Sequence, residues 1–147
     1  PYWNPAMSLL DQLYKELILE HYKHPHNKGV LEDALVEEGV NPSCGDEVKL
    51  FLNVKDNVVK EVKFIGEGCA ISQASTSMMT EAIKGKSFDE VVTLTQQFKA
   101  MIHGETPADE LGDLKMLQGI SKLHARVKCA TLAWVTLEQA LAKIPRA

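Results

Sequence analysis

The sequence predicts an α+β fold, in which helices pack on one face of a small antiparallel sheet of three strands. Apolar residues recur at every second position over 48–54, which is typical of a half-buried strand. A second run of this kind, 58–65, follows Asp56-Asn57, a pair that favours a hairpin turn. From Gly68 onward the apolar spacing becomes helical, so the strands precede most of the helices.

Two elements are predicted ahead of the hairpin. Apolar residues recur at helical spacing over about 8–23, and this first helix ends before Pro25. Leu35-Val36 then begins a short strand, which is followed by the turn-like run 39–46. This short strand is the expected third member of the sheet.

Sequence signals indicate where the first two helices after the hairpin begin or end. Apolar residues share one helical face from Gly68 up to a stop at Gly85. Ser87 and Glu90 have the spacing of a capping box, which opens a helix over about 88–102.

The C-terminal part is predicted to hold a loop and a last helix. The stretch 105–119 is rich in polar residues and reads as a loop with a short helical piece. Apolar residues then recur every three or four positions from about Val127 to Pro145, which indicates the final helix.

Length and composition bound the kind of protein. A chain of 147 residues fits one domain, expected over 7–147, and residues 1–6 are expected to be an expression remnant ahead of Met7. A net charge of −4 argues against a nucleic-acid partner. With no apolar run long enough to span a bilayer and no signal peptide, the protein is expected to be cytoplasmic and free of membrane contacts.

The three cysteines are the candidate site residues, because each is predicted at a turn or at the start of an element. Cys44 lies on a turn with Gly45, and this turn can aim Cys44 and Asp46 at one point. Cys69 directly precedes a helix, where amide groups and the helix dipole favour the thiolate. Cys129 is expected in the first turn of the last helix, where the same argument applies with the cations Arg126 and Lys128 added; the alternative for these two is a plain surface charge.

Three thiolates and a carboxylate suit a borderline cation, and zinc is the first choice because magnesium and calcium prefer oxygen ligands. The spacings of 25 and 60 residues between successive cysteines match no compact CxxC knuckle. Three separate buried cysteines are therefore the alternative. The histidines are left out of the site, because the group His21, His24 and His26 reads as a solvated helix end.

The chain resembles the U-type iron–sulfur assembly proteins, the family of IscU, SufU and the N-terminal domain of NifU, over nearly all of Met7 to Pro145. The resemblance is carried by Leu13-Tyr14, His21-Tyr22-Lys23, Pro25 to Gly29, Asn41-Pro42-Ser43-Cys44-Gly45-Asp46, Gly66-Glu67-Gly68-Cys69-Ala70-Ile71-Ser72 with Ala74-Ser75, and Arg126-Val127-Lys128-Cys129-Ala130 with Leu132-Ala133-Trp134. It implies the sheet-plus-helices fold of that family and a cysteine desulfurase as partner.

Two departures from the scaffold branch make the chain similar to SufU of Gram-positive bacteria. Lys128 stands where the scaffold branch has histidine, and the chain is longer around 101–119. The resemblance to SufU implies tightly held zinc, with Cys44, Asp46, Cys69 and Cys129 as ligands. It also implies a sulfurtransferase role that activates a SufS-like desulfurase and feeds the downstream iron–sulfur machinery.

Cys44 is the expected sulfur acceptor, because a ligand on a turn leaves a metal more easily than one anchored on a helix, and thiolates perform the exchange. One alternative function is a scaffold on which the same four residues hold a transient [2Fe–2S] cluster. Another is a structural zinc module without thiol chemistry. A cysteine hydrolase is disfavoured, because no histidine is placed by sequence to act as its base.

Overall fold

The computed structural model describes residues 9–145 and confirms the predicted fold class. The expected remnant 1–6 and the predicted helix start at residue 8 lie outside this range. The helices are α1 (Leu9–Lys23), α2 (Ala70–Ile83), α3 (Phe88–Ile102) and α4 (His124–Leu141), with a 3₁₀ segment (Asp109–Lys122) before α4. The strands are β1 (Leu35–Asn41), β2 (Asp46–Lys55) and β3 (Val58–Glu67), which form one antiparallel sheet in the order β1-β2-β3. In the described part of the chain, no helix is long and apolar enough to cross a membrane.

The hairpin follows the predicted pattern closely. Asp56 and Asn57 have φ values of 54° and 62°, the left-handed backbone that a tight two-residue hairpin turn requires and that these residue types tolerate. The alternation in β2 and β3 turns one face of the sheet toward α2 and α4. The side chains buried on that face include Val48, Leu50, Leu52, Val62 and Phe64.

Strand β1 is longer than the sequence pattern indicated. The turn-like run predicted over 39–46 is wrong at both ends, because Gly39 and Val40 pair with Val48 and Glu47, and the turn is confined to residues 42–45. Gly39 is compatible with a strand here because α4 crosses directly beneath it. A Cβ atom at this position would lie 2.0 Å from Thr136 Oγ1.

Replacing Gly39 by alanine is therefore expected to destabilise the protein. The added methyl group must displace Thr136 or shift β1, which costs about 1–3 kcal/mol of unfolding free energy. Urea unfolding measures this loss. Gly119→Ala is the matched control, since no heavy atom lies within 4 Å of a Cβ placed there. Equal stability of the two variants would contradict the close contact between β1 and α4.

The middle helices agree with the prediction, whereas the segment after them is more ordered than expected. The capping box of Ser87 and Glu90 is present at the start of α3. The stretch predicted as a loop is largely 3₁₀ helix, broken at Gly112, where φ is 55°. Its buried residues recur at the three-residue period of a 3₁₀ helix, at Leu111, Leu114, Leu117 and Ile120.

Helices α2 and α4 are joined through buried polar groups. The Ser75 hydroxyl donates to the Ala130 carbonyl at 2.6 Å, and Trp134 Nε1 donates to Ser75 Oγ at 3.2 Å. The Trp134 ring also stacks on Phe98 with centroids 4.5 Å apart. These contacts fix the two helices that carry Cys69 and Cys129 relative to each other.

Candidate metal centre

The turn between β1 and β2 presents Cys44. The Cys44 amide donates to the Asn41 carbonyl at 3.2 Å, and the Ser43 hydroxyl donates to Asn41 Oδ1 at 2.8 Å. Gly45 has a φ of 71°, which favours glycine and lets the chain turn at once into β2. The Cys44 side chain is half-buried, so its thiol lies at the border between protein and solvent.

Asp46 is the first residue of β2 and is fully buried. Its Oδ1 accepts the Cys69 amide at 2.9 Å, but its Oδ2 has no hydrogen-bond partner among the described residues. A buried carboxylate oxygen without a partner is costly unless a cation or a donor approaches it. The Asp46 carboxylate is therefore fixed by one oxygen while the other is available as a ligand.

Gly68 is required for this arrangement, and its role was not foreseen from the sequence. A Cβ atom on Gly68 would lie within 2.4 Å of Asp46 Oδ1, and φ is 153°. A side chain here would push the carboxylate away from the Cys69 amide. The signal was present in the Gly66-Glu67-Gly68-Cys69 run, but a sequence does not show which atom approaches a glycine.

Cys69 is the N-cap residue of α2, as the sequence indicated. Its Sγ accepts the Ser72 amide at 3.4 Å. The Cys69 sulfur therefore lies at the N-terminal end of α2, next to the first amide groups of the helix.

Cys129 lies in the second turn of α4, because this helix begins at His124 and not near Val127. The prediction of a first-turn position was wrong, and so was the inference that the helix end favours the Cys129 thiolate. Burial raises the pKa of the Cys129 thiol well above its usual range. Interactions with the side chains of Cys44, Asp46 and Cys69 raise this pKa further.

Arg126 lies one helical turn before Cys129, on the same face of α4. The interaction with the Cys129 side chain raises the pKa of the Arg126 guanidinium, and the charges of Cys69, Cys129 and Cys44 act in the same direction. The sequence indicated that this exposed cation acts on Cys129, with a plain surface charge as the alternative. The structure places it beside the sulfur atoms.

Three of the four expected ligands converge. One donor atom from each of Cys44, Asp46 and Cys129 lies within 4.8 Å of the other two. Cys69 is not part of this trio, although its amide holds Asp46 and its side chain interacts with Cys129. Two sulfurs and a carboxylate oxygen, with a third sulfur alongside, form a donor set that fits zinc.

In the histidine group at the end of α1, His24 and His26 are exposed, as expected of a solvated helix end, but the interpretation is wrong for His21. His21 is buried and its Nδ1 is 2.7 Å from Ser77 Oγ, while His26 Nδ1 is 2.5 Å from Glu81 Oε1. Burial is the main cause that lowers the pKa of His21, and the neighbouring His26 lowers this pKa further. These contacts hold α1 and the following segment on α2.

Comparison with known proteins is consistent with this architecture. The NifU-like N-terminal domain family matches residues 13–146. The chain is 48% identical over 136 residues to the zinc-dependent sulfurtransferase SufU of Bacillus subtilis, covering 91% of this chain and 92% of that protein. It is 41% identical over 138 residues to the iron–sulfur cluster assembly scaffold protein IscU of Streptococcus pyogenes, covering 92% and 87%.

A solved structure shares the fold. It is a crystal structure described as an iron–sulfur cluster assembly scaffold protein for the SUF system, from Fervidobacterium islandicum. The TM-score is 0.84 at 40% identity, with 88% of this chain and 97% of that chain covered. The predicted resemblance is thereby confirmed, and the chain belongs to the NifU-like N-terminal domain family of iron–sulfur cluster assembly proteins.

Proposed function

We propose that this protein is a zinc-dependent sulfurtransferase, which accepts persulfide sulfur from a cysteine desulfurase for iron–sulfur cluster biogenesis. The observation that carries the proposal is the convergence of Cys44, Asp46 and Cys129 at one point, with Cys44 at the border of solvent. The SufU relative, named a zinc-dependent sulfurtransferase, supports the same function.

The proposed zinc ligands are Cys44, Asp46, Cys69 and Cys129. Asp46 would use Oδ2, because Oδ1 is already occupied by the Cys69 amide. Cys69 would complete the set by turning its sulfur from the Ser72 amide toward the trio. Zinc bound here would keep the cysteines in the thiolate form, which the buried Cys129 does not favour without a cation.

Cys44 is the proposed acceptor, because of the three sulfurs it is held least firmly. Cys129 is 1% exposed and lies within a helix, and the Cys69 sulfur caps another. The Cys44 thiol donates one weak hydrogen bond to the backbone, 3.9 Å to the Ala125 carbonyl, and its other neighbours are Asp46 and Cys129 of the same site. A thiol on a turn can reach an incoming sulfur without disturbing a helix.

The transfer itself is a thiol exchange. The Cys44 thiolate attacks the outer sulfur of the donor's persulfide, and a new S–S bond forms on Cys44 as the donor's S–S bond breaks. The outer sulfur carries its hydrogen across, and the donor cysteine leaves as a thiolate. Oxidation states balance, and the released desulfurase is ready for another turnover. The Arg126 guanidinium lies where it can stabilise the negative sulfur.

The test is to incubate the metal-assayed protein with a cysteine desulfurase and cysteine. The intact protein should stimulate sulfide release in samples that contain a thiol reductant, and should gain the mass of one sulfur atom on Cys44 in samples without it. Cys44→Ala should do neither, because the nucleophile is absent. Lys55→Ala, a change at an exposed position at the far end of β2 from Asp46, should behave as the intact protein does. Equal sulfur gain by Cys44→Ala would exclude Cys44 as the acceptor.

A scaffold function is the second candidate, because the Streptococcus pyogenes relative is named a scaffold and the donor set also suits iron. Reconstitution with ferrous iron and sulfide separates the two functions. A scaffold should develop stable visible absorbance and be purified without zinc. A sulfurtransferase should retain zinc and remain colourless.

A further inference from the structure

We propose that the free edge of β1 is a docking strand for an extended, lysine- or arginine-bearing segment of the partner that approaches Cys44. The strand pairing is inferred from the edge itself. The identification of that partner as a sulfur donor rests on the proposed function.

The two edges of the sheet differ. Along β3, the Phe64 amide donates to the Asn27 carbonyl at 3.0 Å and the Gly29 amide donates to the Phe64 carbonyl at 2.8 Å, so the segment 27–29 covers that edge. Along β1, the backbone groups that face away from β2 have no hydrogen-bond partner in the described part of the chain. An uncovered edge is a template on which another strand can pair.

The side chains of β1 protect this edge only in part. Leu35–Asn41 contains neither lysine nor proline and pairs with β2 in regular register, although Glu37, on the helix side of the sheet, is held by Lys143 at 2.6 Å. Val36 and Val40 lie on the sheet face away from the helices and are 42% and 58% exposed. These two apolar side chains flank Glu38 on the same face, since they alternate with it.

The charge of the edge indicates what pairs with it. Residues 30–48 contain no lysine, arginine or histidine, and their acidic residues are Glu32, Asp33, Glu37, Glu38, Asp46 and Glu47. Two of these carboxylates are already paired, Glu37 with Lys143 at 2.6 Å and Glu38 with Lys49 at 3.2 Å, but the Glu38 side chain is still 67% exposed and can accept a second cation. Antiparallel pairing of β1 with a second copy centred on Glu38 would place two Glu38 side chains opposite each other, which is unfavourable. A strand that alternates basic and apolar side chains instead matches Glu38 and its two flanking valines.

Pairing along β1 would bring a partner segment close to Cys44. Strand β1 is supported from below by α4 at the Gly39–Thr136 contact, so it is already held in its extended form. It leads directly into the turn that carries Cys44. A partner segment that pairs along β1 would therefore end beside the proposed acceptor sulfur.

Amide exchange tests this proposal. The ¹⁵N-labelled protein, loaded with zinc, is titrated with a capped heptapeptide in which lysine alternates with valine, and with a glutamate–valine peptide as the control. The lysine peptide should slow exchange of the outward amides of β1 by roughly tenfold at saturation, because they become hydrogen-bonded. Exchange in β3 should stay unchanged. No slowing in β1, or equal slowing by the glutamate peptide, would overturn the proposal.

A pair of variants tests the charge. Glu38→Gln should weaken lysine-peptide binding by about threefold, the effect of one exposed ion pair. Glu61→Gln on β3, which likewise removes an exposed ion pair, should have no effect. Concentration-dependent shifts in β1 without peptide would instead indicate pairing between copies and overturn the proposal. Persulfide formation on Cys44 is measured separately, so failed sulfur transfer with slowed β1 exchange would count against the proposed function alone.

Discussion

Replacing Asp46 by alanine is expected to lower the affinity for zinc by at least about 100-fold, since even changes beyond the ligand shell typically cost 10- to 100-fold. The change removes the buried Oδ2 and also the acceptor of the Cys69 amide, so both the oxygen ligand and the orientation of the α2 start are lost. Competition with a chromophoric chelator measures the change in affinity.

Two control variants make this result specific. Asp46→Asn keeps an oxygen for the Cys69 amide but removes the negative charge. Its affinity for zinc should therefore lie between that of the intact protein and that of Asp46→Ala. Glu47→Ala removes an exposed carboxylate at the next position and should leave affinity unchanged. Zinc binding by Asp46→Ala equal to that of Glu47→Ala would show that the carboxylate is not a ligand.

Replacing Trp134 by alanine is expected to cost about 3–5 kcal/mol of unfolding free energy, the usual range for a large aromatic removed from a core. The Trp134 side chain is fully buried, stacks on Phe98 and donates to Ser75. Its removal leaves a cavity at the junction of α2, α3 and α4. Denaturant unfolding, followed by circular dichroism, measures the loss.

The neighbouring position supplies the control for Trp134. Val135 is partly exposed on the outer side of α4, and Val135→Ala should cost far less. Trp134→Phe keeps a ring against Phe98 but removes the donor to Ser75, so its cost should fall between the other two. If Trp134→Ala unfolded at the same denaturant concentration as Val135→Ala, the packing described for α4 would be contradicted.

The elements that the sequence predicted well are those with a local cause. The hairpin depends on Asp56-Asn57, and α3 depends on the capping box of Ser87 and Glu90, which are all short-range effects. Strand β1 and the start of α4 were misjudged for the opposite reason. Gly39 reads as a turn residue on its own, and only the approach of Thr136 from another element explains why glycine stands in a strand.

The candidate site was predicted in its residue types and not in its geometry. Thiols and a carboxylate indicated the chemistry, but the sequence could not show that Asp46 has one oxygen held and one free. Nor could it show that Cys129 lies deep in the second turn of α4, where its thiol is buried. These facts depend on contacts between elements far apart in the chain. Whether all four residues bind one ion stays a prediction.

The buried bond between Ser75 and Ala130 has a consequence for how the pocket can change shape. Cys69 and Cys129 are positioned by helices that this bond joins, whereas Cys44 lies on a four-residue connection, 42–45, between strands. Two of the three sulfur atoms of the pocket are therefore positioned by helices, and the third is positioned by a short connection. We expect the pocket to open for a partner's sulfur atom by movement of residues 42–45. Substitutions buried between α2 and α4 should change the width of the pocket before a partner binds.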